Sequence, residues 1–586
     1  MKELLSGNEA IARGAWEAGV KVGSGYPGTP STEILENLVK FKSDVYCEWS
    51  PNEKVALEVA AGAAVSGVRS IVTMKHVGLN VAADPLMTLS YIGIVGGMVI
   101  VVADDPGMNS SQTEQDTRHY GRLAKVPVLE PGNAREAIEF VKQAFDLSEK
   151  YRCPVILRST TSVSHSRALV EVGERITGAE ANFKRNPSQF VPLPIWGRKL
   201  RLKAEERVAS QIKDAAISDL NRIFNGNGNH ELGIISGGIA ALHCRDIFPE
   251  ADILKLGWAW PFPDELLKDF AGKVKRLLII EEADPIIEEH VKSLGITCEG
   301  KTLVPRCGEL TPIKIREIRA KVYGEKFEMP LPAAEDLPGR PPILCAGCPH
   351  RGIFFGLAQF DVIVTGDIGC YSLGVFPPLS RTDIILCMGG GFSLSQGMVK
   401  AGEKRPLVGV VGDSTFFHSG ITGLLDIVYN QGNSTLIVVD NRTTAMTGHQ
   451  DHPGTGQTLM GEPTVAASIE KIAEACGMKR IRVVNPYHIN EVKEALNEEL
   501  SVNEPSLIIS RAPCILKERK SVGQALAIDS AKCRNCKQCL KLGCPAIETA
   551  GGAKPKINAQ LCIGCTLCQQ LCKFGAISEL PPPPQT

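Results

Sequence analysis

The sequence is short of the features that would make this chain a membrane, nucleic-acid-binding or disulfide-built protein. Neither sign of charge is in excess: 64 Lys and Arg face 65 Asp and Glu, which leaves no electrostatic case for nucleic acid or an anionic membrane surface. Long apolar runs are missing too. The longest, Tyr91 to Ala103, has 13 residues, short of the roughly 20 that a membrane helix needs. The opening Met1-Lys-Glu-Leu-Leu-Ser-Gly-Asn-Glu9 lacks the apolar stretch of a signal peptide. The expectation is a cytoplasmic protein, in which the 19 cysteines serve as metal ligands or buried side chains rather than disulfides.

What is present is an ordinary globular composition, 44% hydrophobic and 22% charged over 586 residues, long enough for roughly three to five domains. Residues 1–190 alternate helical patterns with strand-like runs such as Ser70 to Met74 and Gly97 to Ala103, the mark of α/β layers on a mostly parallel sheet. Ser6-x-x-Glu9 fits a capping box opening the first helix. Phe183 to Arg198 reads as a connector, followed by a charged helix around Leu202 to Ile223. A second α/β domain, 191–330, contains the strand Arg276 to Glu281; its Gly237-Gly238 fits neither a dinucleotide nor a P-loop pattern and reads as a turn. Five prolines between Glu328 and Pro342 open a third α/β domain, 331–520. A small cysteine-rich module, 525–580, follows, and Pro581 to Pro584 form a tail of extended polyproline type.

Eight cysteines of that module fall into two sets: Cys533, Cys536, Cys539 ending at Cys544, and Cys562, Cys565, Cys568 ending at Cys572. Each C-x2-C-x2-C run supplies three thiolates for one cubane. Zinc is the alternative for paired C-x2-C motifs, but a triple repeated after 29 residues favours iron-sulfur. The arrangement resembles two-cluster ferredoxins, in which the distant fourth cysteine crosses to the other cluster. That resemblance implies two [4Fe-4S] sites, Cys533, Cys536, Cys539, Cys572 and Cys562, Cys565, Cys568, Cys544. Along the chain, Cys539 and Cys544 are separated by four residues and Cys544 is followed by Pro545, whereas Cys572 is followed by Lys573 where proline is usual.

A second motif lies at two strand ends. Leu407 to Val411 runs into Gly412-Asp413-Ser414, and Thr435 to Val439 runs into Asp440-Asn441-Arg442-Thr443. Open α/β sheets bind ligands beyond the carboxyl ends of their strands, and a carboxylate with an amide oxygen suits Mg²⁺ shared with phosphate. Two plain strand-to-turn junctions are the alternative. The pattern resembles the Gly-Asp-Gly to Asn motif of thiamine diphosphate enzymes, with Ser414 where glycine is frequent. By that resemblance Asp413 and Asn441 bind Mg²⁺ through side-chain oxygens and Thr443 through its carbonyl, while Gly412 and Ser414 lie against the diphosphate.

The N-terminal domain adds Gly25-Tyr-Pro-Gly-Thr29-Pro-Ser31 and Glu48-Trp-Ser-Pro-Asn-Glu53, similar to motifs of the 2-oxoacid:ferredoxin oxidoreductases. The resemblance implies that Glu53 contacts the aminopyrimidine of the cofactor and that Thr29 bonds the substrate's carboxylate or carbonyl region. Arg118 and His119 are further candidates for that task; a solvated helix face is their alternative reading. Cys345, Cys348, Cys370 and Cys514 resemble, in order and spacing, the four ligands of a third [4Fe-4S] cluster in several members. Cys345-Ala-Gly-Cys-Pro-His350 departs from the commoner Cys-Pro-Gly-Cys-Gly, and inert buried cysteines are the alternative. Cys47, Cys153, Cys244, Cys298, Cys307, Cys387 and Cys476 show no ligand spacing. Gly389 to Gly397 reads as a loop entering a helix, close to the diphosphate or merely packing the core.

Over nearly the whole length the order of parts resembles the α subunits of the indolepyruvate branch of that family, on Tyr26 to Glu33, Lys75 to Asp84, Cys345 to Arg351, Gly412 to Gly448 and the cluster pair. The resemblance implies doubly wound parallel-sheet domains that bind thiamine diphosphate: a pyrimidine-binding type (1–190), a transketolase C-terminal type (191–330) and a diphosphate and Mg²⁺ type (331–520). A two-cluster ferredoxin-like α+β module completes the chain. It also implies oxidation of aryl pyruvates to aryl-acetyl-CoA and CO₂, with electrons passing to ferredoxin, and a smaller β subunit as partner. Pyruvate, branched-chain 2-oxo acids or 2-oxoglutarate are the alternative substrates, and a mainly electron-transfer or assembly subunit is the alternative class.

Overall fold

The computed structural model describes residues 1–329, 341–518 and 522–580, and divides into two compact units, Met1–Asp336 and Leu337–Thr586. Most of the proline stretch between Glu328 and Pro342, and the Pro581 to Pro584 tail, lie outside the described residues. No described helix is long and apolar enough to cross a membrane.

The first unit is built on a seven-stranded sheet in the order Trp258–Trp260, Val128–Leu129, Val155–Thr160, Met98–Asp104, Ser70–Lys75, Val22–Gly25, Tyr46–Trp49. All neighbours are parallel except Trp258–Trp260, which runs against Val128–Leu129. Ser70–Lys75 and Met98–Asp104 are buried at every position, as a parallel strand covered by helices on both faces must be. The first helix, Gly7–Glu17, opens with the capping box: Ser6 Oγ accepts from Glu9 N at 3.2 Å and Glu9 Oε2 accepts from Ser6 N at 2.8 Å.

A four-stranded sheet follows in the same unit, ordered Arg276–Ile280, Leu232–Gly237, Asp252–Leu256, Arg222–Phe224. The edge strand Trp258–Trp260 leaves this segment to join the larger sheet. Gly237 ends its strand and Gly238, at φ +52°, starts the next helix, so this glycine pair is a turn. The charged helix differs from expectation. It spans Pro194–Ala216, and Ile223 lies in the strand Arg222–Phe224. Pro194 stands in its first turn, where the fixed φ of proline suits a helix start, so the helix begins inside the stretch read as a connector.

The second unit carries a six-stranded sheet, parallel throughout, in the order Ile384–Ile385, Ile363–Gly366, Leu407–Gly412, Thr435–Asp440, Ser506–Arg511, Arg480–Val484. Its C-terminal part forms two antiparallel ribbons, Leu526–Ile528 with Ile577–Glu579 and Ile547–Glu548 with Lys556–Ile557. Ribbon residues and cysteines of this part share one apolar core with the sheet, through Leu526, Leu542, Leu567 and Ile577.

Candidate functional site

Four neighbouring strands of the six-stranded sheet deliver the polar residues of the second unit to one edge. Asp413 follows Leu407–Gly412, Asn441 follows Thr435–Asp440, Cys370 lies just beyond Ile363–Gly366 and Cys514 just beyond Ser506–Arg511. The register fixes this: Gly412 pairs with Val439 and Asp440 with Arg511. Asp413 Oδ2 and Asn441 Oδ1 both accept from Thr443 N, at 3.2 and 3.3 Å, so two oxygens converge beside the Thr443 backbone.

Two histidines hold these oxygens in place. His452 Nε2 donates to Asp413 Oδ2 at 3.0 Å while its Nδ1 accepts from Gly454 N at 3.1 Å, which fixes the tautomer. Asn441 Nδ2 donates to His350 Nε2 at 3.2 Å, leaving the amide oxygen to face Thr443. Burial holds His350 neutral, its pKa pulled down to about 4. Burial also works to raise Asp413, and the hydrogen bonds from His452 Nε2 and Ser414 N prevail and hold its carboxyl below the usual range. Asp440, buried beside Asp413, is raised. An ionised carboxylate, an oriented amide oxygen and a neighbouring backbone form a donor set of the kind hard Mg²⁺ takes. Gly412 and Ser414 are buried at the same strand end, Ser414 Oγ accepting from Thr444 Oγ1 at 2.9 Å. The glycine run enters the helix Gly390–Lys400, with Gly389 at φ +83°. Gly389 N donates to the buried carboxylate of Asp367 at 3.0 Å.

The last cysteine of the N-terminal quartet, Cys514, stands next to this edge. Cys514 N donates to Asn441 O at 2.9 Å. Cys345, Cys348, Cys370 and Cys514 lie within electrostatic reach of one another. Burial pushes the Cys348 thiol up to about 12 and Cys370 to about 11; a thiolate in such surroundings calls for a cation beside it.

The eight C-terminal cysteines divide between two cavities in the crossed pattern. Cys544, Cys562, Cys565 and Cys568 line one with Leu526, Leu542 and Ile547. Cys533, Cys536, Cys539 and Cys572 line another with Phe574 and Ile577. Backbone N–H groups point at sulfur in both, Leu526 N to Cys562 Sγ at 3.4 Å and Ala576 N to Cys572 Sγ at 3.3 Å. Four cysteines around a cavity fit a cubane, whose own core separates its ligands.

In the first unit a comparable edge carries Glu53, which follows Tyr46–Trp49 and starts the helix Glu53–Val65. Asn52 caps that helix, accepting from Val55 N at 2.9 Å, and a carboxylate suits the positive helix end. Glu53 is 6% exposed, and a Cβ at Gly78 would lie 2.6 Å from its Oε1, so only glycine permits this approach. Lys75, at the end of its strand and 9% exposed, donates to Ser110 O at 3.0 Å and packs its methylenes on Gly28. Burial pulls its ammonium down to about 8 against the attraction of Asp105 and Glu53. Thr29 is half-buried, and its carbonyl accepts from Ser110 Oγ at 3.2 Å.

Arg118 is committed elsewhere. It donates to Asp116 at 2.6 Å, Glu281 at 2.9 Å, Glu282 O at 3.0 Å and Asp284 O at 3.2 Å. His119 pairs with Asp284 at 2.9 Å. Sequence reasoning missed the roles of His350, His452 and Lys75. The first and last lie inside quoted motifs, whereas His452 carries no local signal.

Comparison with known proteins follows these two edges. Residues 13–194 match the family model described as pyruvate flavodoxin/ferredoxin oxidoreductase, thiamine diP-binding. Residues 367–510 match the thiamine pyrophosphate enzyme, C-terminal TPP-binding domain. The chain is 44% identical over 599 residues to "Indolepyruvate oxidoreductase subunit IorA" of Methanothermobacter marburgensis, covering 98% of this chain and 97% of that one. The protein of the same description from Archaeoglobus fulgidus is 39% identical over 98% of this chain and 97% of its own. "2-oxoglutarate synthase subunit KorA" of M. marburgensis is 23% identical over 47% of this chain and 87% of that one.

Proposed function

The chain belongs to the indolepyruvate oxidoreductase IorA family, and from that premise we propose that it oxidatively decarboxylates aryl pyruvates such as indolepyruvate. Thiamine diphosphate, Mg²⁺ and three [4Fe-4S] clusters are its cofactors in this reading, coenzyme A takes the acyl group, ferredoxin takes the electrons, and a smaller β subunit completes the enzyme. The observation that supports the reading most is the 2.9 Å bond from Cys514 N to Asn441 O, because it joins the oxygen set to the first cysteine quartet. A cluster held there would stand at the same strand edge as the oxygen set.

Bound thiamine diphosphate supplies the nucleophilic carbon and the electron sink for loss of CO₂. The chain's part is to hold and orient. Asp413, Asn441 and the Thr443 carbonyl take Mg²⁺ on the diphosphate; His452 and His350 keep the two side-chain oxygens aimed. Glu53, buried and flanked by Gly78, would be the residue that meets the aminopyrimidine ring and serves its acid–base chemistry. The three cysteine quartets would hold the clusters, whose chemistry is one-electron transfer.

The test is anaerobic viologen reduction by the chain copurified with its partner, supplied with thiamine diphosphate, Mg²⁺ and coenzyme A and a panel of 2-oxo acids. Indolepyruvate or phenylpyruvate should lead. A lead by pyruvate or 2-oxoglutarate would keep the chemistry and overturn the substrate; no reduction with any of them would favour an electron-transfer subunit.

A further inference from the structure

Arg351 is the second residue of the helix His350–Leu357 and is 2% exposed. Three carbonyls take its hydrogens: Leu542 O at 2.6 Å, Leu344 O at 2.7 Å and Cys345 O at 3.0 Å. Its Nε has no partner. Among the described residues it forms no ion pair with any carboxylate. Taking such a charge out of water costs several kcal/mol, and the first turn of a helix is the wrong end for a cation. An anion that the polypeptide's own acids do not supply is therefore called for.

Sulfur is what surrounds it. Arg351 lines the cavity of Cys544, Cys562, Cys565 and Cys568, and its Nη1 lies 3.4 Å from the Cβ position of Gly543. On the other side its charge acts on Cys345 and Cys348, and across the cavity on Cys565. The cavity of Cys533, Cys536, Cys539 and Cys572 is lined without it.

We propose that Arg351 is the counter-charge shared by two iron-sulfur clusters, that of Cys345, Cys348, Cys370, Cys514 and that of Cys562, Cys565, Cys568, Cys544, and that it sets the reduction potential of both. The inference rests on the cluster reading above. Four thiolates give a [4Fe-4S]²⁺ cubane a net negative charge, which grows by one when a single electron from substrate oxidation converts it to [4Fe-4S]⁺. A fixed neighbouring cation stabilises the reduced form more than the oxidised form, so it raises the potential. The same guanidinium bonds the Cys345 loop to Leu542, two residues before Cys544, and so acts as a positioning residue for both sets.

The experiment is an anaerobic redox titration followed by electron paramagnetic resonance on the chain with its partner, wild type against R351Q and R351K. In R351Q two of the three cluster signals should move to lower potential by at least a tenfold change in the reduction equilibrium, about 59 mV for one electron. The third should stay, and R351K should recover most of the shift. An iron-replete R351Q that titrates as wild type, or in which all three signals move alike, overturns the proposal. If R351Q assembles no clusters while R351K does, R351K is titrated against wild type: displacement of two signals with the third unmoved supports the proposal, and displacement of none or of all three alike overturns it. If neither assembles them, the carbonyl bonds alone are required and it falls. A wild-type chain without iron and sulfide after reconstitution removes the cluster reading itself, a result seen before any variant is made.

Discussion

Arg118 and Arg351 are both 2% exposed, and their surroundings are opposite. Arg118, in the first unit, is met by the carboxylates of Asp116 and Glu281. Arg158 beside it pairs with Asp104 at 2.7 Å and with Glu130, and Lys255 with Glu136 at 2.8 Å. The buried charges of that unit cancel largely among themselves. Arg351, in the second unit, has carbonyls and cysteines and no acid. Nearby, Asp413 and Asn441 aim oxygens at a shared point. A paired buried charge is a clamp, whereas a buried charge or donor set without its complement marks where something other than polypeptide belongs.

The largest expected effect sharpens this contrast. Asp413→Ala removes the sole carboxylate of the oxygen set and should abolish Mg²⁺-dependent thiamine diphosphate binding, by about 100-fold or more, with the fold retained. Anaerobic calorimetry reads it, and retained binding would mean the strand-end set serves another purpose. Arg118→Met should act in the reverse way. It leaves Glu281 buried without its paired guanidinium and Asp116 with only Arg158, at 3.8 Å, a loss of about 3–5 kcal/mol in urea unfolding of the first unit, with thiamine diphosphate affinity in the second unit's oxygen set unchanged. A loss below about 1 kcal/mol would break the comparison.

Lys75 is the exception in the first unit, a buried ammonium attracted by Asp105 and Glu53 while bonding Ser110 O. Its folded pKa, about 8 against an ordinary 10.5, means that between those values the unfolded chain binds more protons. Stability of the apo chain should therefore rise as pH climbs from 8 toward 10.5, by up to about 3 kcal/mol. Lys75→Met should flatten that rise in thermal melts; an unchanged slope would assign it to other groups. The smallest effect concerns His452. His452→Phe keeps a ring against Phe417 and deletes the bond to Asp413, so Mg²⁺ should bind about tenfold more weakly, read as the Mg²⁺ concentration needed for half-maximal cofactor binding.

Much of this was legible in the sequence because its signals are local. The strands at Ser70, Leu407 and Thr435 are apolar on both faces, and their ends carry the chemistry. The resemblance to two-cluster ferredoxins implied two crossed quartets, and the same eight cysteines line two cavities, four to each. The helix Pro194–Ala216 was misjudged because proline reads as punctuation even where it opens a helix. Arg118 appeared as a surface or substrate residue since its partner Glu281 lies 163 residues away. His452 reaches Asp413 across 39 residues, and the isolation of Arg351 from acids exists only in three dimensions. Pairing over such distances has no pattern in the chain.

The measurement that tests the account most directly is the paramagnetic signal of reduced clusters after anaerobic addition of indolepyruvate and coenzyme A to the chain with its partner. The account predicts reduced [4Fe-4S] signals only when thiamine diphosphate and Mg²⁺ are both present, and none in Asp413→Ala. Clusters that stay oxidised in the complete mixture, or that are reduced without thiamine diphosphate, would contradict it.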